Sequence, residues 1–349
     1  MARLRRADCA APGIARRRAG RGFAYYWPDG RKVTEPDVLA RVNDLVLPPA
    51  WKDVWICAYP NGHIQATGTD AAGRRQYRYH DEWRTQRDAA KHEHVLEIAQ
   101  RLPKARRTVA QHLAQRRYTR ERVLACAFRL LDLGFFRVGS ESYAEENGTY
   151  GLTTIRREHV TVRGDLVVFE YLAKGSKERL QSVVDADVRR VVQGLVRRDD
   201  PSPELLAYRR GGVWVDVKAG ELNDYLREVV GADITAKDFR TWHATVLMAV
   251  ALGVSAHAPT TESARKRALA RAVTEVSDYL GNTPAVCRKS YIDPRVIDLY
   301  NDGVTIAPVL DKLGADASFG EPATHGAIEA AVLKLLRTPA EGRGRRRAA

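Results

Sequence analysis

Four side chains from distant segments, Arg137, Lys174, Arg240 and Tyr291, form a set that can act on a phosphodiester. Two guanidiniums can clamp the non-bridging oxygens and neutralise the charge that grows on a pentacoordinate phosphorus, as a metal does elsewhere. A phenol, with a reference pKa of ~10, becomes a nucleophile where a positive field stabilises its anion. A lysine can protonate the departing oxygen. Each residue also has a plainer reading. A tyrosine on a short basic helix can be a half-buried core residue, Arg137 can pair with Glu141, and a lysine at a turn can be a solvated surface group. Other chemistries find less support. The four cysteines (Cys9, Cys57, Cys126, Cys287) are widely spaced with no C-x-x-C, which argues against structural zinc and fits a reducing compartment. His92-Glu-His94 lacks metal-ligand spacing, and Gly68-x4-Gly73-Arg lacks the Lys and Ser/Thr of a P-loop. No metal and no cofactor is expected.

The elements that must position these residues can be read from their caps and periodicity. Thr283 followed by Pro284 predicts a helix start, and Pro294 closes the segment, so Tyr291 sits near the end of a short helix beside Arg288, Lys289 and Ser290. Thr235 with Asp238 forms a capping box ahead of a stripe of Phe239, His243, Val246 and Val250. That places Lys237 and Arg240 in the first turns of a helix, where free N–H groups and the macrodipole already favour an anion. Basic residues there are misplaced for folding and favour a phosphate partner; His243 on the apolar stripe reads as a core histidine. Arg137, flanked by apolar residues, follows a helix running from the Thr119 cap to Gly134 through Val123, Ala127, Leu130 and Leu131. Lys174 sits where a strand enters a turn, after a hairpin of 160–162 and 166–172 and before a third strand at 180–184. Further helices are expected around Val95–Leu102, after Asp185, at Leu222–Val229, at Leu269–Leu280 and at Ile328–Leu336.

The chain has 349 residues, enough for two domains, and a formal charge of +14. The first 22 and last 12 residues carry about +9 of this, leaving about +5 on the other 315. Nucleic acid is the leading partner. No apolar run reaches the ~18–20 residues of a membrane span. From Phe23 to Trp83 the sequence is aromatic and turn-rich, with 10 of the chain's 27 aromatic residues. Gly73-Arg-Arg-Gln-Tyr-Arg-Tyr-His80 alternates, so Arg75, Tyr77 and Tyr79 share one face and Gln76, Arg78 and His80 the other. Such a strand suits phosphate and base-edge contacts. The expected division is a disordered basic arm at 1–22, a β-rich DNA-binding domain at 23–88, a catalytic domain at 89–325, and a short helix with a basic tail at 326–349. The fold class is α+β: a small β-rich N-terminal domain and a larger, mainly helical domain holding a short three-stranded sheet.

From about Phe23 to Asp311 the sequence resembles the type IB DNA topoisomerases, specifically the compact poxvirus-like group found in bacteria. The motifs are Leu47-Pro-Pro-Ala-Trp51 with Val54-Trp-Ile56; Gly62-His-Ile-Gln-Ala-Thr-Gly68; Arg75-Gln-Tyr-Arg-Tyr-His80; and Phe136-Arg-Val-Gly-Ser140 with Glu146-Asn-Gly-Thr-Tyr-Gly-Leu152. They continue with Tyr171-Leu-Ala-Lys174, Lys237-Asp-Phe-Arg-Thr241, and Leu280-Gly-Asn-Thr-Pro284 leading to Ser290-Tyr291. The resemblance implies that Tyr291 attacks DNA to give a 3′-phosphotyrosine and a free 5′ hydroxyl. It implies that Arg137 and Arg240 stabilise the transition state, that Lys174 is the general acid and that Lys237 supports them. Gln76, Tyr77 and Tyr79 of the small domain and Tyr143 of the large one would face DNA. Supercoiled duplex would be relaxed and resealed without ATP or metal, by a C-shaped monomeric clamp in the cytoplasm, associated with the nucleoid. Two positions depart from the family pattern. Asn282 stands where a histidine is usual and would donate an uncharged hydrogen bond; Ser140 replaces a base-contacting lysine. A tyrosine recombinase shares this chemistry, but its usual H-x-x-R reads here as Lys237-x-x-Arg240. A non-catalytic DNA clamp is the alternative outside enzymology.

Overall fold

A computed structural model describes residues 3–256, 261–315 and 325–337. The chain divides after Lys91 into two compact units. In the first, strands β1 (Ile14–Ala19), β2 (Gly22–Tyr26), β3 (Lys52–Ile56), β4 (Ile64–Thr69) and β5 (Arg75–Tyr79) make one antiparallel sheet in the order β2-β1-β3-β4-β5. Helix α1 (Pro36–Asp44) helps close a small core of Ile14, Val33, Val42, Leu45, Val54, Ile56 and Ala66.

The expected disordered arm over 1–22 is corrected here, because β1 is an inner strand of that sheet. Charge count concealed it. Ile14 is fully buried, and the arginines that follow are matched to aromatic rings. The Arg16 guanidinium lies 4.2 Å from the Phe23 ring centre and Arg17 4.8 Å from that of Tyr26. Arg16 also donates to the carbonyls of Pro48 and Trp51 at 3.0 and 2.8 Å.

Helix α2 (Asp81–Leu113) begins seven residues before the periodicity at Asp88 indicates, so the division between the units falls inside a continuous helix. The second unit continues with α3 (Arg120–Gly134), α4 (Glu141–Asn147) and a three-stranded sheet of β6 (Val160–Arg163), β7 (Leu166–Ala173) and β8 (Lys177–Val184). Then follow α5 (Ala186–Val196), a hairpin of β9 (Ala207–Arg210) and β10 (Val213–Asp216) that the sequence reading lacks, and α6 (Ala219–Val230). Last come α7 (Ala236–Ser255), α8 (Glu262–Leu280), α9 (Pro284–Ser290), α10 (Pro294–Asn301), α11 (Ala307–Ala315) and α12 (Gly326–Arg337). The β-rich unit and the larger helical unit with its three-stranded sheet are the expected fold class. The basic tail beyond α12 lies outside the described residues. Among those residues no helix is long and apolar enough to cross a membrane.

The larger core is centred on α3, whose residues Val123–Phe128 are all fully buried, and on α7, with Phe239, Trp242 and Val246 inside. A charged knot ties these helices to α2 and α12. Arg106 meets both oxygens of Asp132, at 2.8 and 3.0 Å, and Glu329 at 2.6 Å. The Trp242 indole donates to Glu329 at 2.6 Å, and Nε2 of both His243 and His325 lies 3.3 Å from Asp132 Oδ1. Asp132, His243 and His325 are ligand types a metal accepts, brought within 4.8 Å of one another. Arg106 already engages both carboxylate oxygens, so the group reads as an ion-pair network. Burial alone raises the pKa of Asp132, but the two histidines and Arg106 outweigh it and hold the carboxyl well below its usual range. Its contribution to stability is therefore fully present above the unfolded carboxylate pKa and is lost as pH falls through the lower folded value. Asp132→Asn should cost about 3–5 kcal/mol at neutral pH, because it leaves buried cations short of charge. Urea unfolding measures this; a loss under ~1 kcal/mol contradicts it.

Candidate active site at the end of a helix

The last carbonyls of a helix have no partners within it and carry its negative pole. At the end of α8, Gly281 turns the chain through a left-handed φ of 63°, and the backbone N–H of Gly281 and of Asn282 return to Asp278 and Ser277. Arginines take the remaining acceptor sites. Arg179 of β8 donates to the carbonyls of Asp278 at 3.1 Å and Tyr279 at 2.7 Å. Arg240, in the second turn of α7, donates to Leu280 at 2.7 Å. Arg137 donates to the Gly281 carbonyl at 3.2 Å and to Asn282 Oδ1 at 2.7 Å. Three guanidiniums thus grip four successive carbonyls. Glycine suits the left-handed φ, and a Cβ there would stand 2.9 Å from Arg179 Nη1, so that the guanidinium would have to shift.

Arg240 is the most enclosed of the three, 3 % exposed, and also donates to the Phe135 carbonyl, which the left-handed turn at Phe135 presents. Burial first, and then the neighbouring Arg137, lower its pKa to about 10, while Tyr291 works in the opposite direction. Tyr291 follows α9 directly. The Thr283 hydroxyl caps that helix at Val286 N–H, as its sequence predicts. On the far side the Thr245 hydroxyl of α7 accepts from Asp293 N–H at 3.1 Å, and Asp293 is paired with Arg295 at 2.6 Å. Between these anchors the half-buried Tyr291 ring has its centre 5.3 Å from the Arg240 guanidinium carbon.

Lys174 stands in the turn between β7 and β8, where Gly175 and Ser176 both have positive φ and Ala173 pairs with Lys177. It lines one narrow cleft with Arg137, Arg179, Arg240, Tyr150 and Tyr171. Tyr171 is another phenol near the arginines. Burial pushes its pKa up to about 12, against the pull of the three arginines, and its hydroxyl donates to Gln181 at 2.8 Å. It is a structural tyrosine. Two buried donors in this cluster, Arg240 Nε and Asn282 Nδ2, have no acceptor among the described residues. Arg137 holds Asn282 by its oxygen, so the amide N–H2 is the end left to donate. Unsatisfied buried donors beside concentrated positive charge call for an anion.

The structure therefore brings Arg137, Lys174, Arg240, Asn282 and Tyr291 together. Glu141 does not pair with Arg137; it meets Lys218 at 2.6 Å. Lys237 is exposed in the first turn of α7, behind a capping box formed by Thr235 and Asp238 as expected. Ser140 is exposed at the start of α4, and the side chain of Tyr143 lies outside the described residues. In the first unit, Arg75, Tyr77 and Tyr79 form the exposed face of edge strand β5, with the two tyrosine rings stacked 6.1 Å apart. Gln76 points to the opposite, half-buried face and donates to Asp70 at 2.8 Å. Arg179 is the residue sequence reading missed. Lys177-Glu-Arg-Leu180 looks like the solvent side of a strand, and the one available signal was its register opposite Tyr171.

Residues 80–305 match the family described as eukaryotic DNA topoisomerase I, catalytic core, and residues 22–70 match bacterial DNA topoisomerase IB, N-terminal domain. DNA topoisomerase 1B of Acanthamoeba polyphaga mimivirus is 28% identical over 305 residues, covering 83% of this chain and 88% of the viral one. DNA topoisomerase 1B of vaccinia virus is 22% identical over 296 residues, 80% of this chain and 90% of its own. DNA topoisomerase 1 of Schizosaccharomyces pombe is 32% identical over 133 residues, 38% of this chain and 15% of its own. The catalytic-core match alone spans well over half of the sequence, and the chain belongs to the type IB DNA topoisomerases.

Proposed function

We propose that Tyr291 cuts one strand of duplex DNA by attacking a phosphodiester. The phenol reacts as its anion, held by the neighbouring guanidiniums after its proton has gone to solvent; its bond to phosphorus forms as the bond to the 5′ oxygen breaks, and Lys174 gives that oxygen a proton. The 3′-phosphotyrosine keeps the energy of the diester, so the 5′ hydroxyl can reverse the step after strand rotation. Nucleotide hydrolysis is not needed for resealing. Arg137 and Arg240 stabilise the pentacoordinate phosphorus, and the Asn282 amide donates to a non-bridging oxygen without adding charge. Lys237, Ser140 and Tyr143 are further DNA contacts of the larger unit. Arg75, Tyr77 and Tyr79 of β5 supply phosphate and base contacts from the first unit, a DNA-binding domain. Gln76 joins them only if its bond to Asp70 is exchanged for one to DNA. The working form is a monomer on supercoiled DNA at the nucleoid.

The observation that carries this reading is the pair of buried donors, Arg240 Nε and Asn282 Nδ2, without acceptors among the described residues, in a cluster whose Arg240 guanidinium stands 5.3 Å from the centre of the Tyr291 ring. Phosphate oxygens are acceptors of the kind both donors lack.

Relaxation of a supercoiled plasmid in EDTA without nucleotide is the direct assay. Wild-type protein should relax it, and Tyr291→Phe should bind DNA without relaxing it; relaxation by the variant overturns the assignment. Arg137→Ala and Arg240→Ala should each lower the rate of single-turnover cleavage on the order of 10²–10³-fold. An unchanged rate removes that residue from the transition state. Asn282→Ala should cost about tenfold, the scale of one neutral hydrogen bond, with Asn282→His close to wild type; a loss as large as that of an arginine variant contradicts an uncharged role.

A further inference from the structure

The structure assigns Arg179 the task of positioning Lys174, an inference that rests on the reading of Lys174 as the acid. Lys174 lies in the turn between β7 and β8, three residues before the start of the strand that carries Arg179. Arg179 is two residues past the start of β8, directly across the ladder from Tyr171. From there its two terminal nitrogens reach the carbonyls of Asp278 and Tyr279 on α8. The next two carbonyls, of Leu280 and Gly281, hold Arg240 and Arg137. One helix end therefore fixes the phosphate-clamping arginines and, through Arg179, the strand that carries the acid.

Arg179 differs from Arg137 and Arg240 in its further contacts. Arg240, whose terminal nitrogens are likewise both on backbone carbonyls, has a buried Nε with no acceptor among the described residues and lies against the Tyr291 ring, and Arg137 holds the Asn282 amide oxygen. Both terminal nitrogens of Arg179 go to carbonyls of α8. Arg179 and Lys174 nevertheless line the same cleft. Other bonds at the hairpin, from Gln181 to the Gly134 carbonyl and from Tyr150 N–H to the Leu172 carbonyl, hold it to the α3 side. Arg179 makes the connection to α8. Loss of that connection leaves the arginine clamp in place and lets the acid drift from the 5′ oxygen.

A substrate with sulfur in place of the bridging 5′ oxygen tests this, because a thiolate departs without a proton. On the ordinary substrate Arg179→Ala should slow single-turnover cleavage about 10²-fold, the cost of a small misplacement of a catalytic group. On the sulfur substrate it should cleave within about threefold of wild type, a ratio that a general loss of structure or of phosphate contact cannot give. Arg179→Lys, which keeps one donor, should fall between wild type and alanine, and it supplies the same ratio should the alanine variant lose its cooperative unfolding transition. Equal slowing on both substrates overturns the positioning role. Lys174→Ala is run beside it: rescue by sulfur upholds the acid reading whatever Arg179 does, and no rescue sinks that reading and the inference built on it.

Discussion

At the proposed reaction centre positive charge must be concentrated without being cancelled, and the carbonyl end of α8 meets that constraint. A carboxylate would hold arginines firmly but would neutralise them for a phosphate. Among the described residues no carboxylate pairs with Arg137, Arg179 or Arg240; backbone carbonyls at the negative pole of a helix hold them instead. The pole amounts to about half an elementary charge, enough to ease the mutual repulsion and too little to discharge three guanidiniums. Burial is the main cause of the lowered pKa of Arg240, and the neighbouring Arg137 adds to it. DNA phosphate is the counter-ion this arrangement leaves room for.

Helix α7 converts the fold's stability into that geometry. Its second turn presents Arg240, and the following residues Trp242 and His243 enter the buried knot with Asp132, Arg106 and Glu329. One turn further on, Thr245 receives the backbone of Asp293, just past Tyr291. Tyr291, the proposed nucleophile, and Arg240 are thus referenced to the same helix. Buried ion pairs are weak evidence of net stability, but a knot joining α2, α3, α7 and α12 can set the rotation of α7, and the direction of Arg240 follows from that rotation.

Much of this was legible in the sequence because local chemistry and tertiary role agree. The capping box at Thr235 and Asp238, the Thr283-Pro284 helix start and the glycine that ends α8 all specify backbone whatever surrounds them. The motifs around Arg137, Lys174, Arg240 and Tyr291 identified residues that the fold then gathers from just past the ends of α3, β7 and α9 and from the second turn of α7. Residues whose meaning lies in a distant partner were not legible. Arg16 and Arg17 look like an unstructured basic tract until Phe23 and Tyr26 stand beneath them. Arg179 looks solvent-facing until α8 ends against it, and the start of α2 at Asp81 is hidden because its first two turns show no apolar stripe. Backbone carbonyls carry no sequence signature, so a site built on them shows only its side-chain half.

The most direct measurement is the chemical identity of the residue joined to DNA. The reaction is stopped with denaturant on an end-labelled duplex, the DNA is trimmed with nuclease, and the tryptic peptides are sequenced by mass spectrometry. The account predicts a nucleotide joined through its 3′ phosphate to Tyr291. An adduct on any other side chain, or none while supercoils are still removed, contradicts it.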